Sequence, residues 1–132
     1  MSVFVDTSAL LAVLDAGDAQ HAAARAAWEE LLGRDEPLVT TNYVLVETFA
    51  LAQSRLGMEA VRALAGDVVP VLRVHWVGEG EHRLGLTALV AAGRRQLSLV
   101  DCVSFVTMRE LHLDAAFAFD RDFADQGFRT LP

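Results

Sequence analysis

The chain has 132 residues, 53% of them hydrophobic, with a formal net charge of −7 and a mean hydropathy of +0.32. This length predicts one globular domain over residues 1–132, large enough to bury a core. No apolar stretch reaches the ~20 residues of a membrane-spanning helix, and the N-terminal residues do not resemble a signal peptide. A cytoplasmic location is therefore expected by default, and the single cysteine, Cys102, which cannot form an internal disulfide, fits a reducing compartment.

The excess of acidic residues argues against broad electrostatic binding of nucleic acid, which usually shows a basic surface. All eleven basic residues are arginine, and none is lysine, a bias that is typical of a GC-rich genome. Arginine nevertheless contacts phosphate through paired hydrogen bonds and stacks on bases. The composition is therefore still compatible with local contacts between single arginines and phosphate groups.

Short apolar strands alternate with helical segments along the chain. A strand at 2–5 leads into a helix that begins at residues 6–8, where Asp, Thr and Ser are typical helix-capping residues. Further helices are predicted at 19–32 with Asp18 as N-cap, from 41 or 42 to 56, at 58–65, at 79–96, and from a Ser98 cap to 112. Further strands are predicted at 38–40, 71–76, 115–119 and, as a short edge strand, 129–131.

Two features of these elements concern packing. The helix at 19–32 carries a stripe of roughly helical period, made of Ala22, Ala26, Trp28 and Leu31. Trp28 and Trp76 are predicted to be core or interface anchors rather than platforms on which bases stack.

The strands are too apolar to face water on either side, and they alternate with helices. This pattern predicts an α/β fold, a three-layer α/β/α sandwich with a central, mostly parallel sheet. Ligands of such sheets bind beyond the carboxyl ends of the strands, where Asp6 and Asp120 are predicted to lie. Asp101 opens a helix, and Glu47 lies in the second turn of another.

These four acids lie in or beside apolar sequence. Asp6 follows 3–5, Glu47 lies between 44–46 and 49–52, Asp101 follows 99–100, and Asp120 follows 115–119. A buried carboxylate is unfavourable unless it is paired, protonated or bound to a cation. We therefore predict that the four acids converge in the fold and hold a hard divalent cation, which prefers oxygen ligands.

Each acid also has a simpler explanation. Asp6 can cap the first helix, Asp120 can be a turn residue, and Asp101 can complete a capping box with Ser98. Glu47 lies mid-helix, so its alternative is a salt bridge to an arginine. Zinc is not predicted, because the one cysteine and four histidines show no ligand spacing.

Four segments resemble, in order and spacing, the acidic motifs of PIN domains. They are Val3–Leu10, Thr40–Thr48, Leu97–Phe105 and Ala118–Phe123. The closing segment Gly127–Pro132 is also similar to the tail of this group. The total length matches VapC-type toxins of bacterial toxin–antitoxin pairs, and the resemblance covers essentially the whole chain.

The resemblance implies a metal-dependent endoribonuclease, the toxin of such a pair, which hydrolyses RNA phosphodiester bonds with a metal-activated water. It implies that Asp6, Glu47, Asp101 and Asp120 line a Mg²⁺ site, with Mn²⁺ able to substitute. It also implies a homodimer and a cognate antitoxin that obstructs the site. Secondary site candidates are Thr7, Ser8, Asp122 as a further acid of the fourth motif, and Arg121 as a phosphate contact.

Three alternatives remain. A catalytically silent protein-binding module can keep the same fold, and its failure to bind Mn²⁺ or Mg²⁺ would distinguish it. A receiver-type phosphotransfer domain uses a lysine, which this chain lacks. A phosphatase of the haloacid dehalogenase type would have a second Asp two places after Asp6, where Ser8 stands. The RNA target, the antitoxin and the number of metal ions stay undetermined at this point.

Overall fold

Five parallel strands form the central sheet of the computed structural model, which describes residues 1–132. The strands are β1 (Val3–Val5), β2 (Leu38–Thr41), β3 (Arg73–His75), β4 (Ala115–Phe117) and β5 (Arg129–Leu131). Their order in the sheet is β3-β2-β1-β4-β5, and every neighbouring pair is parallel. The predicted α/β class and parallel sheet are confirmed.

Seven α-helices connect the strands. They are α1 (Thr7–Leu14), α2 (His21–Gly33), α3 (Asn42–Arg55), α4 (Met58–Ala63), α5 (Glu79–Ala92), α6 (Leu99–Glu110) and α7 (Arg121–Asp125). A π-helical turn (Leu64–Val68) and a 3₁₀ turn (Val69–Val71) follow α4. None of the helices has the length and apolar character needed to cross a membrane.

Helices cover both faces of the sheet. The connections between parallel strands are nearly always right-handed. The chain moves in one direction along the sheet from β1 to β2 to β3, so these connections place α1 to α4 on one face. The connections to β4 and β5 run the other way and place α5 to α7 on the opposite face. Aromatic contacts agree, because Trp28 of α2 stacks on Phe117 at 6.3 Å, whereas Phe123 of α7 lies 6.2 Å from Phe4. The three-layer sandwich is confirmed, and Trp28 is a core anchor.

Helix α2 differs most from its prediction. It begins at His21, and Asp18 does not cap it, because the Asp18 carboxylate accepts a hydrogen bond from the backbone N–H of Gln20 in the preceding turn. The buried stripe consists of Ala24, Trp28 and Leu31, whereas Ala22 and Ala26 are exposed. An alanine-rich helix gives a weak amphipathic signal, because a methyl group gains little from burial on either face.

Smaller differences occur at element ends. Helix α5 stops at Ala92, short of residue 96, because Gly93 adopts the left-handed conformation with φ 61° and ends the helix. The strand predicted from 71 begins at Arg73, because the preceding residues form the 3₁₀ turn. Strand β4 ends at Phe117 rather than 119, and the five-residue α7 was not predicted. Trp76 is 73% exposed and is therefore not a core residue.

Candidate active site

A cleft of about 630 Å³ lies beyond the carboxyl ends of β1 and β4, the point at which the crossover connections change direction. All four acids singled out from the sequence line it: Asp6, Glu47, Asp101 and Asp120. Each acid comes from a different part of the fold. Asp6 precedes α1 and Asp120 precedes α7, whereas Glu47 lies in the second turn of α3 and Asp101 in the first turn of α6. The fold thus gathers acids that are up to 114 positions apart in the chain (120 − 6).

Asp6 is fixed by the residue two positions after it. Its Oδ2 accepts hydrogen bonds from the Ser8 backbone N–H at 3.1 Å and the Ser8 hydroxyl at 2.6 Å. The Ser8 hydroxyl in turn accepts one from the Phe119 backbone N–H at 3.0 Å, which ties the end of β1 to the end of β4. Asp6 is only 3% exposed, and its Oδ1 accepts no hydrogen bond.

Asp101 and Asp120 follow the same pattern. Asp101 Oδ2 accepts from the Ser98 backbone N–H at 3.1 Å, and Ser98 Oγ accepts from the Asp101 backbone N–H at 3.0 Å, which is the capping box. Asp120 Oδ1 accepts from the Asp122 backbone N–H at 2.9 Å. In both aspartates, as in Asp6, one oxygen is held by a backbone amide and the other has no protein partner. The capping explanation is therefore correct for one oxygen of each carboxylate, and it does not account for the other oxygen.

Glu47 is held through its helix rather than by a direct backbone contact. No arginine lies within salt-bridge distance of it, so its main alternative explanation does not apply. The Thr7 hydroxyl donates to the Val44 carbonyl at 3.3 Å, and the Thr48 hydroxyl lies 3.0 Å from the Thr7 hydroxyl. Thr7 therefore joins α1 to α3 beneath Glu47, in a supporting position.

The four acids disfavour one another's charge. Burial raises the pKa of Asp6 to about 7, although the hydrogen bonds from Ser8 oppose this shift, and the charges of Asp101 and Asp120 add to it. Burial also raises the pKa values of Glu47, Asp101 and Asp120. A proton or a cation in the cleft would relieve this strain on the folded state.

The remaining candidates lie at the margin. Asp122 is buried and does not line the cleft; its Oδ1 accepts a hydrogen bond from Arg94 Nη2 at 3.1 Å, which offsets its charge. Arg121 is exposed and lies outside the cleft lining. Arg55, in the last turn of α3, lines the cleft instead. Sequence reasoning missed Arg55, because a basic residue at a helix C-terminus is ordinarily explained by the helix dipole.

The donor set fits a hard divalent cation. Carboxylate oxygens of Asp101 and Asp120 lie within 4.8 Å of each other and of an oxygen of Asp122, which stays outside the cleft lining and is paired with Arg94. Asp6 has a free oxygen in the cleft that Asp101 and Asp120 line. Neither histidine nor cysteine lines the cleft, so its ligands are hard oxygens, the set that magnesium and manganese prefer and zinc does not.

Comparison with known proteins places the chain among related sequences and structures. Residues 3–129 match the PIN domain family. The 23S rRNA-specific endonuclease VapC20 of Mycobacterium tuberculosis is 38% identical over 127 residues, covering 96% of this chain and 95% of that protein. The crystal structure of VapC20, described as a sarcin–ricin-loop-cleaving toxin, superposes with a TM-score of 0.85 at 36% identity and the same coverage.

Two more distant structures share the fold. FitAcB from Neisseria gonorrhoeae gives a TM-score of 0.70 at 14% identity, over 100% of this chain and 97% of that one. VapBC2 from Rickettsia felis, bound to a promoter DNA fragment, gives 0.71 at 12% identity, over 98% and 97%. The sequence match over residues 3–129, the likeness to VapC20 and the cleft of four acids lead to one conclusion: the chain belongs to the PIN domain family.

Proposed function

We propose that this protein is a metal-dependent endoribonuclease and the toxin of a toxin–antitoxin pair. The observation that carries the proposal is the cleft in which Asp6, Glu47, Asp101 and Asp120 meet, with three aspartates each keeping one oxygen free. This cleft occurs in a chain that is 38% identical to an RNA endonuclease over 96% of the length of the chain. That likeness supports hydrolysis of RNA rather than passive binding.

In this proposal Asp6, Glu47, Asp101 and Asp120 would hold Mg²⁺, which Mn²⁺ could replace. Such a cation would supply activation of a water and charge neutralisation at the phosphate. The chain fixes the ligand positions beforehand: Ser8 holds Asp6, Ser98 holds Asp101, and the Asp122 amide holds Asp120. Such preorganisation limits the rearrangement needed when substrate enters.

Glu47 is the acid that we assign to orient the attacking water and accept its proton through a carboxylate oxygen. It is half-buried in the cleft wall, where a carboxylate oxygen can accept a hydrogen bond from a water. No backbone N–H donates to it, unlike the three aspartates, and the nearby Thr7 hydroxyl favours its ionised form. The Thr7–Val44 contact keeps its helix in place.

The substrate proposed is 23S ribosomal RNA, because VapC20 is described as specific for that RNA and as cleaving the sarcin–ricin loop. We further propose that the chain is a single domain, acts in the cytoplasm as a homodimer and is inhibited by a cognate antitoxin that obstructs the cleft. Trp76, exposed on the surface, is the proposed anchor of the dimer interface.

The test uses a synthetic RNA hairpin with the sarcin–ricin loop sequence, incubated with purified protein in Mg²⁺, in Mn²⁺ and in EDTA. We expect a single cleavage site, mapped by its new 5′ end, loss of cleavage in EDTA, and a loss of at least about 10²-fold in Asp6→Asn. Cleavage that persists in Asp6→Asn contradicts the site assignment. Calorimetry that detects no Mn²⁺ binding contradicts the metal dependence and favours a silent binding module.

A further inference from the structure

Arg55 is the single basic residue among the 17 that line the cleft. Six of the other lining residues are acidic: Asp6, Asp15, Asp18, Glu47, Asp101 and Asp120. The whole chain carries a net charge of −7, so both the cleft and the protein repel a polyanion at long range. One positive side chain in such a cleft therefore has a strong local effect on where a phosphate can lie.

The Arg55 guanidinium has no partner within the protein. It is exposed, and it makes neither a salt bridge nor a hydrogen bond, despite the six acids in the same cleft. Six other arginines are engaged by neighbouring side chains: Arg25, Arg34, Arg83, Arg94, Arg109 and Arg129. The other four arginines also have no partner, but they lie outside the cleft: Arg62, Arg73, Arg95 and Arg121.

Its place on α3 sets which phosphate it can reach. Arg55 and Glu47 are on the same helix, eight positions apart, which corresponds to about 12 Å along the helix axis. Successive phosphates of one strand of a nucleic-acid helix are separated by about 3.4 Å along its axis. Because the separation of the two positions spans several such steps, we assign to Arg55 a phosphate other than the one that reacts beside Glu47.

We infer that Arg55 is a substrate-positioning residue that binds a non-scissile phosphate of the RNA and so directs the strand from α3 across the four acids. This inference rests on the proposed nuclease function and deepens it. Arginine suits the role, because its planar fork gives two hydrogen bonds to one phosphate and its charge is permanent. A contact made equally in the ground state and the transition state lowers KM and leaves kcat unchanged.

The experiment compares Arg55→Gln with Arg62→Gln, which removes an arginine on α4 that is also exposed and unpaired but lies outside the cleft. With the sarcin–ricin hairpin as substrate, Arg55→Gln is expected to raise KM roughly tenfold with kcat unchanged within about twofold. The negative slope of log(1/KM) against the logarithm of the salt concentration should become shallower by about 0.7, the value for one lost phosphate contact to a single strand. Arg55→Lys should restore part of the loss, and Arg62→Gln should behave as wild type.

Two controls separate positioning from structure. Melting temperature and Mn²⁺ affinity should be the same in Arg55→Gln and wild type, since Arg55 touches none of the four acids. A wild-type KM and salt slope in Arg55→Gln overturns the inference, and so does an equal loss in Arg62→Gln, which would indicate a bulk charge effect.

Binding of the fluorescein-labelled hairpin, measured by anisotropy in an Asp6→Asn background, separates this inference from the proposed function. Binding that depends on Arg55, together with no cleavage by the wild type, overturns the nuclease function and supports the Arg55 contact. Cleavage by the wild type, together with binding that does not depend on Arg55, supports the nuclease function and overturns the Arg55 contact. If the Asp6→Asn protein does not bind the hairpin and the wild type does not cleave it, both proposals are overturned.

Discussion

Asp6→Asn should stabilise the metal-free protein while abolishing its activity. Asp6 is almost fully buried, and its pKa is raised from 3.8 to about 7. The difference of about 3 pKa units, at about 1.4 kcal/mol each, corresponds to about 4 kcal/mol. Because the folded state binds the proton more tightly than the unfolded state, the contribution of Asp6 to stability is fully present below about pH 4 and is lost as the pH rises to about 7.

Asparagine keeps the local contacts and removes the charge. Its side-chain oxygen can accept both hydrogen bonds from Ser8, and its amide carries no charge that Asp101 and Asp120 would repel. In EDTA at pH 8, the variant should therefore exceed the wild type in unfolding free energy by up to about 4 kcal/mol. Near pH 4.5 the difference should fall to about 1 kcal/mol, because Asp6 is then protonated in the folded wild type but still largely ionised in the unfolded chain.

Urea denaturation at several pH values between 4.5 and 8 measures this difference. Asp35→Asn is the matched control, because Asp35 is exposed and makes no hydrogen bond or salt bridge, and it should show no pH-dependent difference. Mn²⁺ at 100 times its dissociation constant should stabilise the wild type by about 2.7 kcal/mol and Asp6→Asn far less. A difference between variant and wild type that stays constant from pH 5 to pH 8 refutes the reasoning.

Three further predictions concern packing, capping and assembly. Gly85→Ala should destabilise the fold by about 1–3 kcal/mol in urea denaturation, because its Cβ would lie 2.5 Å from Val103 Cγ2; Gly80→Ala, on the same helix with open space around it, should be neutral or stabilising. Ser98→Ala should cost about 1 kcal/mol, because the Asp101 backbone N–H loses its acceptor, and it should weaken Mn²⁺ binding in calorimetry only slightly, because the Ser98 backbone N–H still holds the Asp101 carboxylate. Trp76→Ser should raise the dimer dissociation constant at least roughly tenfold in sedimentation analysis, and an unchanged constant excludes Trp76 from the interface.

The sheet was predictable because its strands are buried on both faces. Val3–Val5 and Ala115–Phe117 are wholly buried, and such continuous apolar runs between helices are typical of parallel strands. The edge strand β3 was harder to place, because its residues are partly exposed and a π turn and a 3₁₀ turn precede it. These irregular turns are set by packing of Leu64 and Val68 in the core, which local sequence does not encode.

The acids of the cleft were predictable, and its basic residue was not. A carboxylate within apolar sequence is conspicuous, because burial penalises its charge wherever the fold places it. Arg55 lies at an exposed helix end, where an arginine needs no special explanation. Its significance depends on the cleft, since only the three-dimensional arrangement shows that it is the one positive charge among six acids.

Capping alone does not explain why the aspartates lie in this cleft. Asp6, Asp101 and Asp120 all lie at helix N-termini, where the helix dipole favours a negative charge by about 0.3–1 kcal/mol, or up to about 2 kcal/mol when partly buried. The burial of Asp6 works against its charge by about 4 kcal/mol, as its raised pKa indicates. A cap that served stability alone would be better filled by Ser or Asn, which accept the same hydrogen bonds without a buried charge. A bound cation would offset this excess, which is the reason to propose that the charge serves metal binding rather than capping.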